Sequence, residues 1–424
     1  MMATLLFVSF IALIFLGVPV AFSLGLASFI YLMLAGIPLN IIPQRMFGGL
    51  NSFVLLCIPG FILAGNLMNA GGITGRIIQF ANDLFGHIRG GLGLANVGAS
   101  MGFAGISGTA LADTASIGSI LIPAMKKEGY GAGFSAAVTA SSSTVGPIIP
   151  PSLPMIIVGT LASLSIGDLF LAGALPGILL GLGLMIPTYI ISVKRNYPKG
   201  DRQPLKAIWK SFTGAFWALL MTFIILYGIL GGFFTPTEAS IIAVLYAFVI
   251  GIFVYKELPV KKIPEIMLSS MTATASIMLL VGFANLFGWI MVREQIPQLV
   301  AESILGISTN TIIVILLINL LLLFVGTFME TIAALVILFP VLLPVALTVG
   351  MDPIQFGVMM VLNLVIGLVT PPVGVCLFVA SQIGKVSIGK TARELVPFIG
   401  VSLVVLMLVA FVPQVTLFLP SLFE

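Results

Sequence analysis

Long apolar stretches, separated by short charged or glycine- and proline-rich segments, recur along the whole chain. Many of them reach the roughly 20 residues that an α-helix needs to cross the hydrocarbon core of a bilayer. No segment of any size has the composition of a separate soluble domain. The pattern therefore predicts an all-α polytopic membrane protein.

The composition supports this prediction. The chain has 424 residues, of which 59% are hydrophobic and 8% charged, whereas soluble domains carry about 25% charged residues. The first 22 residues lack the basic segment and the small-residue cleavage site of a removable signal, so we expect a retained span there. Cys57 and Cys376 stand in apolar surroundings and are interpreted as buried small residues. The single histidine, His87, excludes a histidine-rich metal centre.

The positive charges predict an orientation. Six of the 18 Lys and Arg residues lie in the linker 194–210, which the positive-inside rule assigns to the cytoplasm. Counting from this linker in both directions gives spans at 134–162, 168–193, 211–232, 238–255, 266–292, 354–382 and 396–418. The sequence TPTE at 235–238 is typical of a helix-capping box, so Glu238 is interpreted as structural. The segment 4–34 is either one long helix or two pieces, and its side stays open.

Two further segments leave one side of the predicted membrane and return to the same side. The segment 94–123 has 30 residues and one charge, Asp113, whereas two full spans need about 40 residues. A re-entrant helical hairpin fits this length, provided that protein shields its tip from lipid. The segment 311–348 likewise returns to the side that it leaves.

A shift of 221 residues brings the helix-breaking residues of the two halves into register. The matched pairs are Gly105 with Gly326, Pro123 with Pro344, Gly129 with Gly350, Gly146 with Gly367, and Pro150-Pro151 with Pro371-Pro372. The charge argument gives the two copies opposite orientations. Inverted structural repeats, each with a re-entrant hairpin and a broken transmembrane helix, are typical of secondary transporters.

The broken helices are candidate cation sites. Each is interrupted at a Gly-x-x-x-Pro-Pro sequence, GPIIPP at 146–151 and GLVTPP at 367–372. Proline leaves helical carbonyls unpaired, and an unpaired carbonyl in hydrocarbon costs several kcal/mol. Such oxygens suit a small hard cation such as Na⁺. Side-chain oxygens next to the breaks come from Ser141, Ser142, Ser143, Thr144, Asn363 and Thr370.

The hairpin tips are candidate anion sites. Ser107, Thr109 and Asp113 surround the glycine turn of the first tip. Thr327, Glu330 and Thr331 follow the glycine of the second tip. Helix N-termini at such tips carry free N–H groups and partial positive charge, which favour a carboxylate.

Structural roles remain open for these residues. Ser107 and Thr109 are also suited to capping a half-helix, and Thr327 and Glu330 have the spacing of a capping box. Acidic residues inside a membrane are costly and usually functional, which favours a role for Asp113 and Glu330. Whether they contact an ion, contact the substrate or only brace the tips stays open at this point.

Several motifs together resemble the large membrane subunit of TRAP (tripartite ATP-independent periplasmic) transporters. They are GISGTALADTASIGSILIPAM, GPIIPPSLP, GGFFTPTEA and MDPIQFGVMMVLNLVIGLVTPPVG. The resemblance covers essentially the whole chain. It departs from the usual pattern at Thr109, where serine is more frequent, and at Glu330, where aspartate is expected.

The resemblance implies a transport function in the bacterial inner membrane and two protein partners. A small membrane subunit of about four helices and a soluble periplasmic substrate-binding protein would work with this chain. A Na⁺ gradient would drive the uptake of a small organic acid, and no other cofactor is expected. C4-dicarboxylates, sialic acid and other carboxylates are all substrates of this family. The repeats would move as an elevator against a fixed scaffold.

The resemblance also implies a domain division. Scaffold helices are expected at 1–93 and at 163–310, the latter including the linker 194–210. The transport domain would comprise the first repeat, 94–162, and the second, 311–382. A C-terminal helix would occupy 383–424.

Carried over by motif, the resemblance assigns site residues. The Na⁺ ligands would come from Ser107, Gly108, Asp113, Ser141, Ser142, Ser143, Thr144, Gly146, Gly326, Thr327, Thr331, Asn363, Gly367 and Thr370. The substrate would contact Ser107, Thr109, Ser143, Pro150, Glu330 and Thr370. Arg293, on the predicted outer side, is a candidate contact for the binding protein.

Two other functions compete with this one. A sodium–carboxylate symporter that needs no binding protein would share the repeats and the broken helices. The sequence GISG at 105–108 matches the G-x-S-G of intramembrane serine proteases, but such an enzyme needs a histidine within hydrogen-bond reach of Ser107. His87 lies in a predicted cytoplasmic loop, so we do not expect an enzyme.

Overall fold

The computed structural model describes residues 2–308 and 310–423, and the regular secondary structure within those ranges is helical, with no strand. The helices of the first half are α1 (Met2–Phe15), α2 (Val20–Leu34), α3 (Ile41–Leu50), α4 (Cys57–Ala70), α5 (Ile73–Phe85), α6 (Gly91–Ser107), α7 (Ala110–Lys127), α8 (Ala132–Ser142), α9 (Leu153–Ala162) and α10 (Ile166–Lys194). Short 3₁₀ turns at Phe53–Leu56 and Ser143–Val145 precede α4 and follow α8.

The helices of the second half are α11 (Leu205–Leu230), α12 (Pro236–Val249), α13 (Ile263–Arg293), α14 (Ile296–Ile307), α15 (Thr311–Gly326), α16 (Thr331–Thr348), α17 (Pro353–Gly367), α18 (Val375–Gly384), α19 (Ile388–Phe411) and α20 (Gln414–Leu417). A π-helical turn, Ile250–Val254, continues α12. Further 3₁₀ turns occupy Val260–Lys262 and Pro420–Leu422.

Within the described residues, seven helical segments are long and apolar enough to cross a membrane, by length and composition. The predicted spans at 168–193, 211–232, 238–255 and 266–292 correspond to α10, α11, α12 with its π-helical turn, and α13. The segment 4–34 is two helices, α1 and α2, which pack against each other.

The last predicted span, 396–418, is wrong in its limits. The helix α19 runs from Ile388 to Phe411. Lys390 and Arg393 lie within its first turns, where their long apolar stems can pack while the charged ends reach water. A positive charge therefore marks the membrane edge without ending the helix.

Both predicted hairpins are present. Hairpin 1 consists of α6 and α7 and extends over 91–127, beyond the predicted 94–123. Hairpin 2 consists of α15 and α16. The first turns at Gly108, which adopts a left-handed conformation with φ of 61° that a side chain would strain. Both predicted broken spans are also interrupted, between α8 and α9 and between α17 and α18.

The internal repeat is visible in the helix limits. Adding 221 to the limits of α7, Ala110–Lys127, gives those of α16, Thr331–Thr348. The same shift relates the start of α8 at Ala132 to the start of α17 at Pro353. The fold is therefore an all-α membrane protein built from two repeats, each with a hairpin and a broken helix.

The repeats pack against each other crosswise. Helix α7 of hairpin 1 contacts α18, and α16 of hairpin 2 contacts α9. Lys126 Nζ donates a hydrogen bond of 2.8 Å to the carbonyl oxygen of Gly384, at the end of α18. A positive charge is favourable there because the C-terminal end of a helix carries partial negative charge.

Polar side chains join each hairpin to its own broken helix. In the first repeat, Asn96 donates to Thr139 Oγ1 at 2.7 Å, and Ser100 donates to Ser142 at 2.9 Å. In the second, Asn363 Nδ2 lies 2.6 Å from Asn319 Oδ1. Interhelical hydrogen bonds in membranes contribute roughly 0.6–2 kcal/mol each.

The remaining helices form a second packed group. Helix α4 packs along α12, and α13 packs against α2, α3 and α4. Asn66 of α4 donates to Ser270 of α13 at 2.8 Å. At the end of this group, Arg76 forms an ion pair of 2.7 Å with Glu257.

The capping box at the start of α12 is confirmed. The backbone N–H of Thr235 donates to Glu238 Oε2 at 2.8 Å, and the N–H of Glu238 donates to Thr235 Oγ1 at 3.3 Å. Glu238 therefore has the structural role that its spacing predicts. Both cysteines are also buried as free thiols, as expected.

Close packing of two glycines yields the first prediction. A methyl group at Gly367 would lie 2.4–2.7 Å from backbone atoms of Gly326, which cannot move aside as a flexible side chain could. We expect Gly367→Ala to destabilise the protein by about 1–3 kcal/mol and to lower its Tm in detergent. Gly400→Ala, on α19 with no atom within 4 Å, is the matched control and should leave Tm unchanged or raise it. Equal Tm values for the two variants would contradict this packing.

Candidate ion- and substrate-binding site

Each hairpin tip lies against the break of its own repeat. We call residues 107–109 tip 1, 143–152 break 1, 327–330 tip 2 and 368–374 break 2. A methyl group at Gly108 would lie 3.2 Å from the carbonyl oxygen of Pro151. In the second repeat, the N–H of Gly374 donates to the carbonyl of Thr327 at 3.2 Å. In each repeat, the predicted residues at the hairpin tip and those at the break therefore lie close together.

Asp113 is the central acidic residue of the first repeat. It is fully buried, and neither carboxyl oxygen has a hydrogen-bond partner among the described residues. Ser107 Oγ is also buried without a partner. The backbone of break 1 is close, because a methyl group at Gly146 would lie 2.2 Å from Asp113 Oδ2.

This arrangement fits a hard cation. Burying polar oxygens without partners is costly, and the cost is avoided when a cation binds them. Oxygen atoms of Asp113, Ser107 and the break 1 backbone are the ligand type that hard cations prefer. The described residues contain no cluster of His, Cys, Asp and Glu side chains that would indicate a transition metal.

The predicted hydroxyl residues at the end of α8 and the start of break 1 are already hydrogen-bonded. Ser141 donates to the carbonyl of Val138 at 3.0 Å, and Ser143 to that of Thr139 at 2.7 Å. Thr144 donates to the carbonyl of Ser141 at 2.5 Å. Their oxygens keep lone pairs for a cation, but each hydroxyl also has a structural role in the last turn of α8 or in the 3₁₀ turn that follows it.

Tip 2 differs from tip 1 in its charge. Glu330 is the N-cap of α16, and its Oε2 accepts hydrogen bonds from the N–H groups of Ile332 at 2.8 Å and Ala333 at 3.2 Å. The capping-box spacing from Thr327 is not used, because Thr327 Oγ1 donates to the carbonyl of Phe324. Glu330 therefore braces its tip and neutralises the helix N-terminus on which the sequence predicted an anion site.

Two polar atoms of the second repeat lack partners. Thr331 Oγ1 and Asn363 Oδ1 are buried without a hydrogen bond among the described residues. Thr370 Oγ1 donates to the carbonyl of Ile366 at 2.8 Å. Ala334 stands at the position equivalent to Asp113, so the second repeat has no acidic counterpart there.

A cavity of about 370 Å³ lies between the two tips, and we call it the central cavity. Thr109 and Glu330, two of the residues predicted to contact the substrate, both line it. The lining residues from the hairpins and breaks are Thr109, Ala110, Leu111, Pro147, Pro154, Glu330, Thr331, Ile332, Ala333, Leu368, Val375 and Cys376, and those from the other helices are Val20, Ala21, Ser276, Ile277 and Leu280.

A smaller cavity of about 190 Å³ adjoins the central one. It shares Thr109 and Ile277 with the central cavity and is also lined by Ser107. Three other predicted substrate contacts, Ser143, Pro150 and Thr370, line neither cavity.

Sequence reasoning missed several polar residues that line the two cavities. Asn66, Asn69 and Ser116 line the smaller cavity, and Ser276 lines the central one. Asn69 Nδ2 donates to Ser116 Oγ at 3.2 Å, from α4 to hairpin 1. The available signal was the pair of asparagines inside an otherwise apolar stretch, since polar residues within membranes are usually functional.

Arg293 is exposed at the end of α13, with its guanidinium 5.6 Å from the ring of Trp289.

The structure separates the two residues that the protease hypothesis requires. His87 is exposed in the turn before α6, whereas Ser107 ends that helix. A helix of 17 residues is about 25 Å long, so the two cannot form a catalytic dyad.

Inverted repeats with paired hairpins and broken helices around a central cavity define the class of secondary transporters. The model of one protein family, described as the DctM component of the tripartite ATP-independent periplasmic transporter, matches residues 7–415. The chain belongs to this family of large TRAP transporter subunits. It is therefore an integral protein of the bacterial inner membrane and a transporter subunit, not an enzyme.

Individual relatives agree with this assignment. The chain is 45% identical to the sialic acid TRAP transporter large permease protein SiaM of Vibrio cholerae over 97% of both chains. It is 37% identical to the C4-dicarboxylate large permease protein DctM of Rhodobacter capsulatus, over 100% of this chain and 99% of that one. It is 43% identical to the isethionate permease protein DctMQ of Oleidesulfovibrio alaskensis, over 97% of this chain and 65% of that one.

Solved structures support the fold alone. The Alcanivorax borkumensis YdaH transporter superposes with a TM-score of 0.62 at 14% identity over 88% of both chains. Neisseria gonorrhoeae MtrF gives a TM-score of 0.60 at 12% identity, over 88% of this chain and 83% of that one.

Access to the central cavity yields the second prediction. In a chain with Cys57→Ala and Cys376→Ala, Thr109→Cys should react with a small water-soluble thiol reagent, because Thr109 lines both cavities. The matched control is Thr139→Cys, at a fully buried position that lines neither. Intact-mass spectrometry after timed labelling would measure both rates. Equal labelling of the two cysteines would contradict an accessible cavity at tip 1.

Proposed function

We propose that this chain carries out Na⁺-coupled uptake of a small organic acid, which a periplasmic binding protein delivers to it and to a small membrane subunit. The observation that carries the proposal is the buried pair Asp113 and Ser107, with unpartnered oxygens at the contact of tip 1 with break 1. Ser107 lines the smaller cavity, which shares Thr109 with the central cavity between the two tips. Family membership supports the two protein partners.

Coupling follows if ion and substrate stabilise the same arrangement of tip and break. A cation at Asp113 would hold tip 1 against break 1, and Thr109 of that tip lines the central cavity. The substrate would then meet a formed site only after the cation has bound. By linkage, the cation would raise the affinity for the substrate, and the substrate would raise the affinity for the cation by the same factor.

An organic acid is the favoured substrate class. The uncapped N-terminus of α7, at Thr109, faces the central cavity and offers partial positive charge to a carboxylate. The names of relatives include sialic acid, C4-dicarboxylates and isethionate, and each of these compounds is an organic anion. Sialic acid and C4-dicarboxylates are therefore the first candidates to test.

We further propose an elevator movement of the hairpin-bearing repeats against the other helices. The two tips have different neighbours, and this difference supports the proposal. Near tip 1, Gly105 accepts a hydrogen bond of 3.2 Å at its carbonyl from Thr222 of α11. The equivalent Gly326 packs instead on Gly367 of its own repeat. Repeats with equivalent folds but unequal neighbours are expected when one group of helices has shifted relative to the other.

The third prediction tests the ion site. Asp113→Asn should abolish Na⁺ stimulation of uptake, a loss of at least about tenfold, because it removes the charge that balances the cation. Asp168→Asn, at the exposed start of α10, is the control and should keep Na⁺ stimulation. The assay is uptake of labelled sialic acid or succinate into liposomes that contain both membrane subunits, with Na⁺ or K⁺ outside.

The same assay separates the two transport mechanisms. Uptake that requires both Na⁺ and the cognate binding protein supports the proposal. Uptake with Na⁺ alone would replace it with the self-sufficient symporter, and uptake without Na⁺ would remove the coupling.

The fourth prediction tests the movement with two cysteine pairs that start from the same helix. Asn69→Cys with Ser116→Cys would link α4 to hairpin 1, where the wild-type side chains are 3.2 Å apart. Asn66→Cys with Ser270→Cys would link α4 to α13, where they are 2.8 Å apart. Both pairs are made in the Cys57→Ala, Cys376→Ala background. Oxidation should block uptake by the first pair only, and reduction should restore it. Full uptake by the oxidised first pair would contradict relative movement of α4 and hairpin 1.

A further inference from the structure

The two halves of α13 have different surroundings. The first half, which follows Lys261 and Lys262 on the predicted cytoplasmic side, is largely exposed. The second half, which leads to Arg293 on the predicted outer side, packs against α2 and α3. The buried residues of the helix are Ser270 and then Leu280, Val281, Gly282, Ala284, Leu286, Phe287, Ile290 and Met291. The helix is therefore open towards the predicted cytoplasm and closed towards the outside.

Three exposed hydroxyl residues share one face of the open half. Ser269, Thr272 and Ser276 follow one another at spacings of three and four residues, which places them one above another on a helix. We call them the hydroxyl face of α13. Ser276 lines the central cavity, and Ala273 on the same face lines the smaller one. The hydroxyl face therefore continues from both cavities towards Lys262.

Hairpin 1 carries a similar row of small and hydroxyl residues on α7. Ala112 and Ser116 line the smaller cavity, and the exposed Ser119 follows one turn later on the same face. Helix α7 runs from tip 1 to Lys126 and Lys127, so this row also leads from a cavity to positive charges. Because such charges mark the cytoplasmic side, both rows indicate an opening on that side.

The position of the hydroxyl face distinguishes it from hydroxyl groups that merely face lipid. Ser269, Thr272 and Ser276 each donate to a carbonyl of the preceding turn at 2.9 Å, and such bonds also permit serine and threonine in apolar surroundings. The exposed residues on the opposite face, Met267 and Met271, are apolar. Polar and apolar exposed positions are thus separated around the helix, as expected when one face contacts water and the other contacts lipid.

The contacts around the cavities restrict the direction of an opening. Asn69 of α4 is hydrogen-bonded to Ser116 of α7 at 3.2 Å, so a route does not pass between these two helices at this level. Towards the outer side, Leu280 lines the central cavity and is followed by the buried Val281 and Gly282. The first half of α13 remains as the open wall.

We propose that the hydroxyl face of α13 lines the route by which the transported organic anion leaves the central cavity for the cytoplasm. Hydroxyl groups carry no full charge, and passage requires contacts that are weak enough for the ligand to leave. The structure then has the arrangement that releases substrate. This inference rests on the proposed function and adds a route to it.

The first test is labelling of single cysteines from one side of the membrane, in the Cys57→Ala, Cys376→Ala background. The probe is 2-sulfonatoethyl methanethiosulfonate, which does not cross membranes and is itself a small organic anion. In inside-out vesicles, Ser269→Cys and Thr272→Cys should react at least about tenfold faster than Met271→Cys, because a thiol that faces lipid ionises poorly. Met271 is the matched control, since it is 60% exposed but lies on the opposite face. In right-side-out vesicles, Ser269→Cys should react slowly.

The second test asks whether the labelled face carries substrate. Before labelling, Ser269→Cys should take up substrate into liposomes as its background does, which shows that the variant is folded. Labelling before reconstitution should block uptake, because the added group occupies the route, and reduction with dithiothreitol should restore it. Met271→Cys treated in the same way should keep its uptake.

Three results would overturn the inference. They are equal labelling of Ser269→Cys and Met271→Cys, labelling of Ser269→Cys from the periplasmic side alone, and full uptake by the labelled Ser269→Cys variant. Labelling requires neither Na⁺ nor substrate. A wild type whose uptake is independent of Na⁺ would therefore remove the proposed coupling without changing the sided labelling, and the two failures can be told apart.

Discussion

The structure depends on satisfying backbone groups where helices are broken within an apolar protein. A helix interrupted by prolines leaves carbonyl and N–H groups that hydrocarbon cannot solvate. Ser152 meets part of this requirement in break 1, since its hydroxyl donates to the carbonyl of Pro147 and accepts from the N–H of Met155. In break 2, the N–H of Gly374 bonds to Thr327 of tip 2. Backbone groups of each break are thus hydrogen-bonded by nearby side chains or by the tip of the same repeat. A break and its tip therefore form one structural unit.

That dependence explains why glycine is needed at particular contacts. Gly326 and Gly367 bring tip 2 and the end of α17 together at a distance that leaves no room for a methyl group. Gly146 likewise lets the backbone of break 1 approach Asp113. Backbone oxygens could serve as ligands of the proposed cation only if the chain comes this close, so the same small residues that allow this packing would also allow that ligand geometry.

Helix-breaking residues made the fold largely predictable, because their spacing is a local property that both repeats share. Segment lengths and charges located both hairpins, and the register of Gly105 with Gly326 related one repeat to the other. Features that depend on contacts between distant segments were not predictable. The cavity-lining roles of Asn66 and Asn69 follow from where helices meet, and one sequence contains no direct signal of which helices meet. The limits of α19 were missed because Lys390 can extend to water from within a helix.

The repeats share a fold but not a chemistry, and this difference has a physical consequence. Asp113 is matched by Ala334, and Thr109 by Glu330. Each hairpin therefore has an acidic residue at or near its tip but at a different depth, buried beside the break in the first repeat and lining the central cavity in the second. Symmetry supplies two equivalent frameworks, which would exchange neighbours in the proposed elevator movement. The unequal side chains give the cavity a direction, with free N–H groups at one tip and a carboxylate at the other.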